Sequence, residues 1–429
     1  MKKTLQEKLA ARKYKIPNRF FNLIYYVIMH NIVGKKYNYN ITVKDDINEC
    51  KGACFLIWNH LSRIDHMYLM SAAFPRPLSI VAGYNEFFRS HLHLAFSLMK
   101  IIPKKVFTQD MNGLRAMNSI IRKGGCVAFS PEGTSSIYGC NQPIVPGTGK
   151  FIKHYHIPVY MMKLKGTYLT STKMCLDERY GRTEGELYLL FTPEQLDNMT
   201  AEEIDERINL EFRHDEYDWA AEQGIKWENG GNMCERLYDM CYKCPRCGAE
   251  LNMTAENNYI RCNACGNGAV MNDYYKFEPF DDECVIPKSP TKWVELERQA
   301  IIKEIRVDEN YSFSEKVRVG TLPHYRYVPK KETSVPAGEG TIVFDHSGIH
   351  FSGLKEGENW SFDVSYETAF SLSIVTDTSR FAMYIEGEFY EFMPERPSVG
   401  KMLILTEEMH RLHYNVWKNF PWNEFMYKD

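Results

Sequence analysis

The chain has 429 residues, 44% of them hydrophobic and 14% aromatic, which is enough apolar material for two or three domains with real cores and too much for a disordered chain. A formal net charge of −3 gives it no bulk attraction to polyanions. Its 12 cysteines are spread unevenly and four of them fall into a metal-ligand pattern, so they are not the disulfide framework of a small secreted domain and point to a reducing compartment.

Residues 1–40 open without the apolar core and small-residue site of a cleavable signal peptide. Lys2, Lys3, Lys8, Arg12, Lys13, Lys15 and Arg19 stand against Glu7 alone, and Lys35-Lys36 closes an apolar run from Phe20 to Met29. The run is shorter than the roughly 20 residues that span a bilayer. It predicts an amphipathic helix in a membrane interface, with Phe20, Tyr25, Tyr26 and Ile28 turned into lipid and the lysines beside anionic headgroups. A helix packed on the next domain is the plainer alternative. The expected location is peripheral, on the cytoplasmic face of a membrane.

Ala53 to Trp58 reads as a short buried strand, followed by Asn59-His60-Leu61-Ser62-Arg63-Ile64-Asp65. Ser62 and Asp65 have the spacing of a capping box before Met67-Tyr68-Leu69-Met70, which places His60 at the strand's end and Asp65 in the first helical turn. Asp65 can then accept from Nδ1 of His60 and leave Nε2 to take a proton from a hydroxyl. A satisfied loop histidine beside a first-turn carboxylate is the competing reading. Further on come Ile101-Ile102-Pro103-Lys104, a strand from Gly124 into the turn Ser130-Pro131-Glu132-Gly133-Thr134, and Ile157-Pro158-Val159.

Four motifs in this order resemble the signature of the glycerolipid acyltransferase family, which includes lysophosphatidic acid and glycerol-3-phosphate acyltransferases. The likeness covers about residues 40 to 225 and implies an α/β acyltransferase domain over 41–228, a mixed sheet with flanking helices. It makes His60 the catalytic base and Asp65 its orienting partner. Asn59, Ser62, Lys104, Lys105, Glu132, Gly133, Thr134 and Lys150 become the implied substrate-binding residues. The implied donor is acyl-CoA or acyl carrier protein. The implied acceptor is a lysophospholipid, foremost 1-acyl-glycerol-3-phosphate, which gives phosphatidic acid. Lys104 stands where the family has an arginine, supplying a point charge instead of a fork, and Ser135 and Ser130 replace an arginine and a phenylalanine around Pro-Glu-Gly-Thr. These departures bear on phosphate recognition more than on acyl transfer.

Thr200 to Ile208 begins with a capping box and predicts a polar helix, and His214 to Trp219 continues as an acidic segment without regular ligand spacing, read as a solvated helix face. Cys244-Pro-Arg-Cys247-Gly and Cys262-Asn-Ala-Cys265-Gly form two Cys-x2-Cys knuckles 14 residues apart. Cys244, Cys247, Cys262 and Cys265 predict a closed structural zinc ribbon, with an iron site of the same geometry as the alternative. The ribbon is assigned residues 229–285 with a leading helix, and Cys234 and Cys241 are placed in that helix. Ala249 to Asn258, between the knuckles, is not basic, which argues against nucleic acid as a partner.

Residues 286–429 predict a helix from Trp293 to Ile305 and then strands around Gly340–Phe344, Ile349–Phe351, Trp360–Val364, Phe381–Ile385 and Glu388–Phe392. A final helix from Val399 to about Phe420 carries Met402, Leu403, Leu405, Met409, Leu412 and Val416 at helical spacing. An antiparallel β domain closed by a helix is similar to the pleckstrin-homology-like architecture. A membrane-associated binding or scaffold protein on a non-catalytic acyltransferase fold is the alternative reading of the whole.

Overall fold

The computed structural model describes residues 3–228 and 231–414. Lys2, residues 229 and 230 of the ribbon segment, and Val416 with the end of the last predicted helix lie outside the described residues.

The α/β region is a seven-stranded sheet made of β1 (Tyr39–Val43), β2 (Cys54–Trp58), β3 (Leu78–Gly83), β4 (Ile102–Lys104), β5 (Cys126–Phe129), β6 (Val159–Lys165) and β7 (Thr183–Phe191). Its order is β1-β7-β6-β2-β5-β3-β4, and every neighbouring pair is parallel except β6 with β7. β2 is central and buried along its whole length, as an unbroken run of apolar residues in a parallel sheet requires. Alternate side chains separate its two faces. Leu56 and Trp58 join the core beneath helix Asp65–Ala73, while Phe55 and Ile57 pack with Met117, Ile152 and Ile204 from helices Met111–Ile121, Thr148–Tyr155 and Ala201–Phe212. Because β2, β5, β3 and β4 run parallel, the loops that leave their C-terminal ends gather on one rim of the sheet.

Helix Arg19–Ile28 lies against this region with an inverted surface. Asn22 is 1% exposed and Tyr26 stacks on Phe74 at 4.0 Å, whereas Phe20, Leu23, Ile24, Val27 and Ile28 are exposed. These five positions recur at the helical period and form one outward apolar stripe. Tyr25 and Tyr26, expected to face lipid, instead pack on the protein, with Tyr25 half-buried beside His66 at 5.9 Å.

The ribbon is a four-stranded antiparallel sheet in the order β11-β10-β9-β8, from β8 (Met253–Glu256), β9 (Tyr259–Cys262), β10 (Gly268–Met271) and β11 (Phe277–Pro279). The expected leading helix is replaced by turns and one short 3-10 segment, Leu237–Asp239, and Cys234 and Cys241 are buried in those turns.

Helix Pro290–Val307, capped by Ser289, leads to β12 (Ser312–Thr321), β13 (Val335–Asp345), β14 (Gly348–Lys355), β15 (Glu358–Val364), β16 (Ser373–Ile374), β17 (Phe381–Ile385) and β18 (Glu388–Pro394), closed by helix Val399–Tyr414. The sheet is wholly antiparallel in the order β15-β14-β13-β12-β18-β17-β16. β12 was not expected from the sequence, yet it is central and buries Glu315, Val317 and Val319. The last helix is buried on all sides from Val399 to Arg411, so its spacing marks no single apolar face, and Leu412 is exposed. Its charges are met by Arg298, which reaches Glu407 at 2.6 Å and Glu408 at 2.7 Å. One apolar core runs without interruption from Leu56 through Tyr242 to Phe344, so the three regions share an interior.

Candidate active site

The loop after β2 brings His60 to the rim, and the turn that follows starts helix Asp65–Ala73. His60 Nδ1 and Asp65 Oδ2 are 2.8 Å apart. Asp65 is 1% exposed and also accepts the Leu61 N–H at 2.8 Å, the Ser62 N–H at 3.1 Å and the Thr167 hydroxyl at 2.9 Å. The hydrogen-bond partners of Asp65 named here are donors, so the hydrogen it shares with His60 sits on Nδ1, and in the neutral ring Nε2 keeps the lone pair. The His60 side chain is 29% exposed, enough for a substrate to reach it. Its backbone is fixed at both ends, N–H to Glu132 Oε2 at 2.5 Å and carbonyl from the Ser136 N–H at 2.6 Å.

Glu132, in the loop after β5, is 1% exposed and both its oxygens are taken by backbone amides, of His60 and, at 2.5 Å, of Gln142. Burial pushes its pKa up to about 8, the two amides pull it back, and the nearby Asp65 adds to the rise. Glu132 therefore ties two rim loops together. Gly133 has φ +73°, and a Cβ there would lie 2.9 Å from the Phe107 ring and 3.1 Å from Val145, so the turn excludes any larger residue.

Several expected substrate contacts are committed elsewhere. Asn59 is buried, with Nδ2 donating to the Leu164 carbonyl at 2.9 Å and Oδ1 accepting the Leu164 N–H at 2.7 Å, a bridge from β2 to β6. Ser62 Oγ accepts the Ile64 N–H at 3.2 Å, so only half of the capping box forms, the half in which Asp65 reaches back to the Ser62 amide. Lys104 Nζ donates to the carbonyls of Lys105 at 2.8 Å and Thr108 at 3.3 Å, and burial lowers its pKa against the pull of Asp110. Lys105 Nζ donates to the Gly387 carbonyl in the turn between β17 and β18 and sits 5.5 Å from the Tyr84 ring and 5.6 Å from that of Tyr384. It is a strut to the C-terminal sheet. Lys150 is exposed on the first turn of helix Thr148–Tyr155. Asn59, Ser62, Lys104 and Lys105 each sit where the chain leaves a strand and satisfy backbone groups that would otherwise be buried unpaired.

Residues 38–164 match the family model described as Acyltransferase. The chain carries an acyltransferase domain. No curated protein matches the chain. Among solved structures it is similar to the crystal structure of the 1-acyl-sn-glycerophosphate (LPA) acyltransferase PlsC from Thermotoga maritima, at 14% identity and a TM-score of 0.37, over 48% of this chain and 83% of that one.

Three contributors to the candidate site lie beyond the motifs. Thr167, just after β6, donates to Asp65, and its loop is held by Glu216, which accepts the N–H groups of Gly166 at 2.8 Å and Tyr168 at 3.1 Å. Glu216 is fully buried and bonded to His214 Nε2 at 2.5 Å, so the segment expected to be a solvated face is an internal brace. Lys173 donates to Thr134 Oγ1 at 3.0 Å and to Ser135 Oγ at 3.1 Å. Two polar residues close behind the end of an apolar strand were the available signal for Thr167. The C-terminal sheet also meets the rim: the Phe370 ring packs on Phe107 at 5.2 Å, and the Asp377 N–H donates to the Lys173 carbonyl at 2.8 Å.

Away from this site, the Sγ atoms of Cys244, Cys247, Cys262 and Cys265 all lie within 4.8 Å of one another, and the pairs Cys244–Cys265 and Cys247–Cys262 are 3.7 Å apart. Thiolates about 2.3 Å from a tetrahedral zinc ion have edges of about 3.8 Å. The group could hold a metal ion. Gly248 at φ +74° and Gly266 at φ +77° turn each knuckle, their N–H groups donating to the Cys244 and Cys262 carbonyls at 2.9 and 3.0 Å.

Proposed function

We propose that the protein transfers a fatty acyl group from a thioester, acyl-CoA or acyl carrier protein, to the hydroxyl of a lysophospholipid, with 1-acyl-glycerol-3-phosphate as acceptor and phosphatidic acid as product. The observation that carries this reading is a reachable His60 ring locked by a buried Asp65 inside an acyltransferase domain. His60 Nε2 takes the hydroxyl proton while the oxygen attacks the thioester carbonyl. Asp65 stabilises the imidazolium, and collapse of the tetrahedral intermediate expels the thiolate, which recovers the proton from Nε2. No covalent acyl-enzyme is needed.

The membrane side of the proposal rests on the outward stripe of Phe20, Leu23, Ile24, Val27 and Ile28, flanked by the basic residues of the N-terminal segment. No described helix is long and apolar enough to cross a membrane. The proposed location is peripheral, on the cytoplasmic face. Zinc is the metal proposed for the four cysteines, where it would supply folding free energy. The C-terminal strand order, four strands followed by three on the far side of the first, supports the pleckstrin-homology-like reading of that domain, in an interaction role.

The test is incubation of the purified protein with labelled acyl-CoA or acyl carrier protein and a panel of lysolipids, with separation of the lipid products. A second arm compares vesicle-borne with short-chain soluble acceptors for the wild type and Leu23→Ser/Val27→Ser. The expected result is labelled phosphatidic acid, with the double variant slowed selectively on vesicles. Absence of any acylated lipid with either donor would leave the scaffold reading in its place.

A further inference from the structure

The loop between β12 and β13 leaves the C-terminal sheet and lies on the α/β region. Val328 pairs with the chain that follows β3, its N–H donating to the Phe88 carbonyl at 2.9 Å and its carbonyl accepting the Ser90 N–H at 2.9 Å. Arg89 donates to the Lys330 carbonyl at 2.9 Å, and the Tyr327 ring stacks on His93 at 4.2 Å. From another side the Leu5 N–H donates to the His324 carbonyl at 2.8 Å, which brings helix Leu5–Ala10 to the same place. A loop tied this often holds its side chains in a fixed surface, so a partner that meets them has little ordering to do.

That surface is exposed, apolar and basic at once. Tyr325 is 56% and Tyr327 39% exposed, and Leu94 and Leu98, one turn apart on helix His93–Leu98, are 63% and 38% exposed. Arg326, Lys330 and Lys331 are exposed among them, as are Lys3 and Lys8 beside the Leu5 contact. The carboxylates there are Glu332, Glu7, which caps its own helix, and Glu388, which accepts from Gln6 at 3.0 Å, while Glu86 is paired with Arg89 at 3.1 Å. Among the described residues Arg326, Lys330 and Lys331 enter no ion pair. His91 registers the excess of positive charge: desolvation lowers its pKa, and Arg89 and Lys330 lower it further against Glu86 alone. The chain as a whole carries −3, so the basic surface is a local feature.

We propose that this surface docks an acidic protein that carries the acyl thioester, which makes acyl carrier protein the donor. This rests on the acyl-transfer reading proposed above and chooses between its two donors. β3 lies two strands from β2, so the point where Val328 is tied lies about 10 Å across the sheet from the strand that leads to His60, on the same rim. A carrier seated there swings its thioester over the rim on its flexible arm. The stripe of Phe20, Leu23, Ile24, Val27 and Ile28, assigned to the bilayer, is wholly apolar. Here cations are interleaved with tyrosines, a composition that suits an acidic protein face, and the unpaired cations steer such a partner in as well as hold it.

The variants are Lys330→Glu/Lys331→Glu and Tyr325→Ser, each in the full chain. Both are assayed with acyl carrier protein and with acyl-CoA as donor, on a short-chain soluble acceptor so that no bilayer is present. The ratio of kcat/KM for the carrier-protein donor over that for acyl-CoA should fall about tenfold to a hundredfold in the charge reversal and several-fold in Tyr325→Ser, with turnover of acyl-CoA showing that each variant is folded. In the wild type the same ratio should fall as salt rises. A ratio unchanged in both variants overturns the proposal, as does a wild type that accepts acyl-CoA alone. Loss of binding to anionic vesicles in the charge reversal, with the ratio unchanged, would give the surface to the membrane instead. Should the wild type transfer no acyl group from either donor, the function reading fails separately. Calorimetry with acyl carrier protein then decides this one, binding that is lost in the charge reversal supporting it and no binding by the wild type refuting it.

Discussion

The cysteine ribbon and the rim that carries His60 are both built from a few side chains, but they are assembled over very different lengths of chain. In the ribbon each pair of ligands is three residues apart, and a glycine with positive φ closes each turn locally. At the rim, His60 depends on Asp65 and Glu132, Asp65 on Thr167, Thr167's loop on Glu216, and Lys173 on a turn at Asp377. A local site tolerates change in its surroundings as long as its own turn survives. A dispersed one transmits distant changes to the reacting atom, because each link rests on one or two hydrogen bonds.

That contrast can be broken by experiment. The largest effect should come from His60→Ala, which is expected to reduce acyl transfer by about 10²–10⁴-fold, the usual share of a general base, with little change in unfolding temperature. Wild-type turnover in that variant would end the mechanism. Cys244→Ser should abolish binding of one zinc per chain and destabilise the protein by on the order of 4 kcal/mol, measured by elemental analysis and calorimetry, while leaving the His60 site competent in the fraction that stays folded. Metal-free wild-type protein of full stability would remove the ribbon's role.

Two smaller effects sharpen the rim's side of the comparison. The Glu132 carboxyl has its folded pKa raised from 4.5 to about 8, so it binds its proton more tightly in the folded than in the unfolded state. That stabilisation is complete below the unfolded value and is lost as pH rises through the folded one. Between about pH 5 and 8 the wild type should therefore lose on the order of 2 kcal/mol more stability than Glu132→Gln, a difference that parallel unfolding curves would contradict. Thr167→Val, which leaves Asp65 one donor short, should cost about 1 kcal/mol and slow turnover roughly tenfold. An unchanged rate there would show that the remaining donors suffice to hold Asp65.

The same contrast explains what could be read from the sequence. Strands β2 and β5 were legible because each is a short apolar run ended by a turn, and the cysteine set because its spacing is its geometry. His60 and Asp65 were legible as a pair five residues apart, and the structure brings them within hydrogen-bonding distance. For Asn59, Ser62, Lys104 and Lys105 the partners were not legible, because a sequence shows that a polar side chain exists but not which backbone group it meets across the fold. The Asn59 partner is Leu164, 105 residues away, and the Lys105 partner is Gly387, 282 residues away. His214 and Glu216 were misread for the same reason, since their acidic neighbours suggested solvent while a loop near residue 166 required them inside. Strand β12 was missed because Glu315 occupies a buried position and interrupts the apolar–polar alternation of its neighbours.

The Arg298 cluster has a consequence for how this chain can be divided. Arg298 leaves the helix Pro290–Val307, reaches two carboxylates on the last helix and, at 3.3 Å, the Tyr138 hydroxyl in the α/β region, all in the same uninterrupted interior. A fragment ending before residue 290 would present that interior to water, and the complementary fragment would expose the other half of it. The modular look of the sequence thus conceals an indivisible object: heated in a calorimeter, it should melt as a single cooperative unit, and a catalytic half prepared alone should fail to hold its shape.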